Sequence, residues 1–123
     1  MTKQEHWLDD VEDHDYDAAE EYLCLLTSDH AAKSVAAQLR DQPIRWFKAK
    51  DLLRASGLPA LPESNRHVSK DLRKIKRGEN LSPILLLRGW GDLRSPLVVA
   101  DGYHRICASY LLDENAEIPA RLL

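Results

Sequence analysis

Apolar positions in this chain follow two periods. Tyr16, Ala19, Leu23 and Leu26 recur at helical spacing, as do Ala32, Val35, Ala36 and Leu39, and later Val68, Leu72 and Ile75. Shorter runs read as strands: Ile44-Arg45-Trp46-Phe47, the unbroken Ile84-Leu85-Leu86-Leu87, Leu97 to Ala100, and Ile118 to Leu123. A continuous apolar run such as 84–87 is expected of a strand covered on both faces. The stretch Tyr103–Leu112 is apolar on most sides, which predicts a buried helix.

Turn and cap residues punctuate these elements. Asp15 and Asp29 are placed to cap the first two helices, and Asp41-Gln42-Pro43 ends the second. Ala49 to Ala55 reads as a short helix or turn closed by Gly57, and residues 57–67 as a loop. Gly78 stops the helix that carries Val68, Leu72 and Ile75. Gly89-Trp90-Gly91-Asp92 turns the chain, making the strand at 97–100 the hairpin partner of 84–87, and Asn115 to Pro119 forms a last turn. The expected architecture is α+β: a helical pair over 15–42 ahead of a mixed sheet with packed helices over 44–123.

Charge changes this picture at the N-terminus. The 123 residues carry a formal net charge of −3, but residues 1–30 hold ten Asp/Glu and one Lys, while residues 31–123 hold sixteen Lys/Arg and ten Asp/Glu. An acidic arm therefore precedes a basic body. Residues 1–14 are expected to be an acidic, partly disordered leader with only Trp7, Leu8 and Val11 to anchor it. The alternative is an arm that folds over the basic surface or enters a partner's basic groove. No apolar run is long enough to span a bilayer, and the start, Met-Thr-Lys-Gln-Glu-His, is polar, so a cytoplasmic protein without a membrane partner is expected. Cys24 and Cys107 lack metal or redox spacing and read as small buried residues. His6, His14 and His30 read as surface histidines.

The densest chemistry lies at Val98-Val99-Ala100-Asp101-Gly102-Tyr103-His104-Arg105. A strand stops at Asp-Gly and a helix starts at once, leaving free N–H groups and the positive end of a macrodipole, a ready anion site. His104 and Arg105 oppose that dipole, so something negative is expected beside them. The stretch therefore reads as a phosphate-binding corner. Asp101 can instead cap the helix or pair with Arg105 four residues on, and its functional roles would be magnesium ligand or general base.

From Ile44 onward the order of motifs resembles the ParB/sulfiredoxin-like superfamily. The matching pieces are Ser64-Asn65-Arg66, the helix with Val68, Leu72 and Ile75, Gly78, Leu81-Ser82-Pro83-Ile84, Asp101-Gly102-Tyr103-His104-Arg105, Ala108, and Glu117-Ile118-Pro119. They cover about two-thirds of the chain. The resemblance implies a nucleotide site. In ParB proteins a Gly-Glu-Arg-Arg corner holds CTP phosphates; in sulfiredoxin a Gly-Cys-His-Arg corner holds ATP phosphates and carries the catalytic cysteine. Related free-serine kinases use an Asp-Gly-His-type corner. Carried over by position, Gly102, His104 and Arg105 would contact phosphate, and Arg66 could reach it from the preceding loop. Tyr103 stands where sulfiredoxin has its cysteine, so sulfinic acid reduction is not expected. The helix-turn-helix and dimerisation regions of a partition ParB are not in this sequence, so a DNA clamp is not expected.

The resulting expectation is a nucleoside triphosphate-binding domain that uses magnesium with ATP or CTP. NTP hydrolysis or phosphoryl transfer would occur at the Asp101–Arg105 corner, Asp101 positioning the metal and Asp101 and His104 acting as catalytic groups. Against this, Arg105 could be an internal salt-bridge partner, Arg66 an exposed loop arginine and Glu63 a surface residue. The alternative function is a non-catalytic protein-interaction domain that uses its acidic arm. Nucleic acid comes third: Lys70, Arg73, Lys74 and Arg77 form a basic helix face without interleaved aromatics, which reads as a solvated face.

Overall fold

A computed structural model of the chain describes residues 6–89 and 93–123. Its elements run α1 (Asp13–Leu23), α2 (Asp29–Arg40), β1 (Ile44–Lys48), α3 (Ala49–Ser56), α4 (Arg66–Lys76), β2 (Ile84–Leu87), β3 (Val98–Asp101), α5 (Tyr103–Leu112) and β4 (Glu117–Leu122). The four strands form one sheet in the order β1-β4-β2-β3. β4 runs antiparallel to β1 and parallel to β2, and β2 runs antiparallel to β3, so the sheet is mixed and the fold is α+β. Most of the expected turn at 89–92 lies outside the described residues.

Alternation along the strands explains the layers. Ile84 and Leu86 face one way, joining Ile118, Ala120 and Leu122 in a core with residues of α3, α4 and α5. Leu85 and Leu87 face the other way, joining Ala100 under Tyr16, Ala19 and Leu23 of α1 and Ala32 and Leu39 of α2. All four residues of β2 are buried because helices cover both faces. The N-terminal pair is thus one wall of the same core.

Two helix starts differ from the expected caps. Glu12 occupies the N-cap position of α1 without a side-chain cap, and Asp15 lies inside the first turn, buried. Ser28 caps α2, its Oγ accepting from the Ala31 N–H at 3.1 Å, while Asp29 is the first helical residue. Acids in a first turn suit the dipole, so both aspartates remain favourable without capping. Asn65 begins α4, its Oδ1 accepting from the N–H groups of His67 and Val68 at 3.0 and 3.2 Å. Leu26 falls beyond α1 and is exposed, and Cys24 is only partly buried.

The larger correction concerns the leader. From residue 6 onward it is built into the core. Trp7 makes a parallel bridge with Leu81: the Leu8 N–H donates to the Leu81 carbonyl and the Leu81 N–H to the His6 carbonyl, each at 2.8 Å. The Glu12 N–H donates to Ser82 Oγ at 3.0 Å, and Val11 is buried under α1. His6 and Trp7 are 7% and 4% exposed, so His6 is no surface histidine. Expected residues 1–5 of the leader lie outside the described residues. No helix among the described residues is long and apolar enough to cross a membrane.

Because Trp7 is a core residue, Trp7→Ala is expected to lower stability by about 3–5 kcal/mol in urea unfolding. A solvated leader would give a change within about 0.5 kcal/mol.

Candidate functional site

The corner forms where β3 ends at Asp101 and α5 begins. Gly102 is the N-cap of α5, with φ 110°, and makes no side-chain cap. A Cβ on this residue would overlap the Ile84 side chain as well as adopt a left-handed conformation, so sheet packing alone requires glycine here. Asp101 therefore does not cap the helix. It pairs with Arg105.

Arg105 is the most heavily engaged side chain of the corner. Its Nη2 donates to Asp101 Oδ2 at 2.5 Å, and its Nη1 to Asp15 Oδ2 at 3.2 Å, the Ser82 carbonyl at 2.5 Å and the Pro83 carbonyl at 3.2 Å. The Arg105 side chain is 14% exposed, with Asp101 at 19% and Asp15 at 8%. The dipole argument asked for negative charge beside this cation, and the chain itself supplies it from α1 and β3. Burial pushes the Asp101 carboxyl above its ordinary range; the Arg105 charge opposes this and neighbouring Asp15 adds to it. His14 Nε2 lies 3.3 Å from the other Asp15 oxygen. A phosphate reaching Arg105 would have to displace two carboxylates.

Asp101 fits a magnesium ligand poorly for the same reason. Its Oδ2 is taken by Arg105 and its burial favours the protonated form. No group of three or more His, Cys, Asp or Glu among the described residues is placed to hold a metal ion.

His104 faces away from this pairing, toward α4. Its ring centroid lies 4.7 Å from that of His67 and 5.6 Å from that of Tyr103. The first turns of α4 and α5 therefore lie side by side. Neither contains an acidic residue, whereas α1, α2 and α3 carry Asp13 and Asp15, Asp29 and Asp51 in theirs. Arg66 is exposed at the first position of α4, next to His67. Burial lowers the His104 pKa below 6.5, and the neighbouring His67 lowers it further, against the opposing pull of Asp71. Asp71, one turn beyond His67, is itself held above the ordinary carboxylate range by burial, opposed by Arg105, Lys74 and His104.

Other residues of the corner anchor the 57–65 loop. Tyr103 donates its hydroxyl to the Pro59 carbonyl, and the Leu61 N–H points to Cys107 Sγ at 3.5 Å. Burial raises the Cys107 thiol pKa, so this fully buried cysteine is a packing residue. Glu63 is exposed, as are Lys70, Arg73 and Arg77, with Arg73 bonded to Ser69 Oγ and Arg77 to Glu79.

The structure thus splits the expected set. Gly102, Asp101 and Arg105 form an internal joint with Asp15, while His104 and Arg66 lie at the meeting of two helix starts with His67. Sequence reading missed Asp15, His67 and Asp71. Asn65 as a cap before the Val68, Leu72, Ile75 stripe was the available signal for His67, since it places Arg66 and His67 in an acid-free first turn.

Arg105→Ala would leave Asp15 and Asp101 buried without their cation, and is expected to cost about 3–5 kcal/mol at neutral pH. A carboxyl held above its unfolded pKa binds its proton more tightly in the folded state, so its contribution to stability grows as pH falls through that interval. The deficit of the variant is therefore expected to shrink between about pH 7 and pH 4.5. Parallel urea titrations of both proteins measure it; a constant or growing deficit contradicts the carboxylate pairing.

No family model matches this chain, and no curated protein or solved structure matches it.

Proposed function

We propose that the chain binds a phosphate-bearing ligand where the first turns of α4 and α5 meet, a nucleoside triphosphate such as ATP or CTP being the class the ParB/sulfiredoxin-like resemblance implies. The carrying observation is the contact of His67 with His104 across two helix starts that hold no acidic residue. Two adjacent imidazoles repel each other when both are protonated, and an anion between the dipoles and the rings relieves that repulsion. Arg66 adds a permanent charge beside them.

In this reading the residues divide their work. His104, His67, Arg66 and the uncapped N–H groups of α5 hold phosphate, and Gly102 lets the chain turn into that helix. Arg105 is a positioning residue that fixes Asp101 and the start of α5. Hydrolysis or phosphoryl transfer would take its proton-transfer group from His104, because Asp101 is engaged. Magnesium would accompany the nucleotide through phosphate and water oxygens, outside any ligand set of this chain. Two free cysteines support a cytoplasmic setting.

A second reading, a protein-interaction domain, has its own support. Leu25 is 80% exposed in the turn after α1, with Leu26 at 46% and Tyr22 at 43%, beside Glu20 and Glu21. An apolar patch with an acidic rim is how many partner surfaces look.

Calorimetry with ATP, CTP and GTP, with and without magnesium, decides between the readings. One nucleotide is expected to bind, and His104→Ala and Arg66→Ala each to weaken it by about tenfold. Affinity is expected to rise as pH falls from 7.5 to 6, because the free His104 pKa is depressed and phosphate favours the protonated ring. Flat titrations at millimolar nucleotide overturn the nucleotide reading, and a pH-independent affinity removes His104 from it.

A further inference from the structure

The far end of α1 carries chemistry that the corner does not use. Tyr22, Leu25 and Leu26 are 43%, 80% and 46% exposed, three large apolar side chains within one short stretch. The Leu25 N–H donates to the Tyr22 carbonyl at 3.0 Å and the Leu26 N–H to the Leu23 carbonyl at 2.9 Å, so the helical winding continues past Leu23 into the turn. Exposed Ala18, Tyr22, Leu25 and Leu26 therefore follow one another at helical spacing, on the side of α1 away from buried Tyr16, Ala19 and Leu23. A contiguous exposed apolar stripe marks a surface that something covers.

Charge along α1 shows what kind of partner fits. At the start of the helix the chain meets its own carboxylates: Asp13 lies 3.1 Å from Arg40 and Asp15 lies 3.2 Å from Arg105. Toward the end, Asp17 and Glu21 are exposed beside the apolar stripe, and Asp29 opens α2 across the turn. None of these three carboxylates makes an ion pair with a described residue. The sequence from 4 to 32 holds no Lys or Arg, and the last turn of α1 has no basic residue. A helix C-terminus is the negative end of the macrodipole, so Glu20 and Glu21 oppose it as His104 and Arg105 oppose the start of α5. At α5 the chain supplies the countercharge; at the end of α1 it does not. The negative field is felt locally at Cys24. Desolvation raises its thiol pKa, and the hydrogen bond and charge of Asp29 and the charges of Glu20 and Glu21 raise it further.

An apolar stripe flanked by carboxylates favours a partner that is apolar along one strip and positively charged on its flanks, and it repels an acidic one. An amphipathic helix offers both in a single element. We propose that the end of α1 docks a basic amphipathic helix of a partner protein. Its apolar stripe packs on Tyr22, Leu25 and Leu26, and its Lys or Arg side chains face Asp17, Glu21 and Asp29. The partner's chemistry is added here to the interaction surface described above, on which it rests.

The probe is a fluorescein-labelled synthetic helix of Leu and Lys, with Leu at the a and d positions of each heptad. Fluorescence anisotropy follows its titration with the full-length protein. One control peptide replaces every Lys with Glu, and a second replaces every Leu with Ser. The Leu/Lys peptide is expected to bind saturably, and each control about tenfold more weakly or not at all. Leu25→Ser is expected to weaken the Leu/Lys peptide by about tenfold. Glu21→Lys is expected to weaken it by about threefold. Both positions are exposed, so the fold is kept, and Leu112→Ser, at an exposed leucine of α5, is expected to leave binding unchanged. Equal binding of the Leu/Glu peptide, lost in Leu25→Ser, would overturn the basic partner and leave the interaction surface standing. Equal binding of the Ser/Lys peptide would overturn the proposal, since charge alone would then suffice. No saturable binding, or binding unchanged in both Leu25→Ser and Glu21→Lys, would overturn it and remove this patch from the interaction reading as well.

Discussion

The guanidinium of Arg105 ties together three parts of the chain that lie far apart in sequence. It bonds Asp15 in α1, Asp101 at the end of β3, and the Ser82 and Pro83 carbonyls that lead into β2. Burying a guanidinium costs several kcal/mol unless its donors are met, and here carboxylates and carbonyls meet them. The same bonds satisfy backbone acceptors that the covering helix layer removes from water. Burial raises the Asp101 carboxyl above its ordinary range, Arg105 opposes the shift, and the charge of neighbouring Asp15 adds to it. The N-terminal helical wall, the sheet and the start of α5 are held in one relation by this joint.

That joint also decides what the corner has left for a ligand. With Arg105 turned inward, the groups that remain at the start of α5 are its backbone N–H groups and His104, and α4 brings His67 and Arg66 alongside. Under the proposed reading, the anion binds where these two first turns meet. The acidic N-terminal segment meets the basic body directly, through Asp10 with Arg121, Asp13 with Arg40 and Asp15 with Arg105.

Much of this fold is legible in the sequence because its signals are local. The unbroken run 84–87 announces a strand buried on both faces, and the span Tyr103–Leu112 matches α5 from end to end. Gly57 closes α3 in the left-handed conformation that the reading of a stop required. What the sequence hid depends on long-range contact. Asp15 looks like a cap because its partner Arg105 lies 90 residues away. The leader looks solvated because its polar composition conceals that Trp7 and Val11 fill space and that its backbone pairs with Leu81. At the corner, the dipole pointed to a phosphate beside Arg105, whereas the carboxylates of Asp15 and Asp101 lie there. Local pattern could not tell whether a ligand or the protein would provide the negative charge.

The most direct test of this division of labour is to follow side-chain signals while ATP is added at pH 6.5. Histidine ring resonances and the arginine Nε–H signals would be assigned by single substitutions. The account predicts that His67 and His104 shift together and saturate, while His14, His30 and the Arg105 guanidinium hold still. A shift centred on Arg105, with the two histidines unmoved, would mean that the nucleotide displaces Asp15 and Asp101, and would contradict the account of Arg105 as an internal joint.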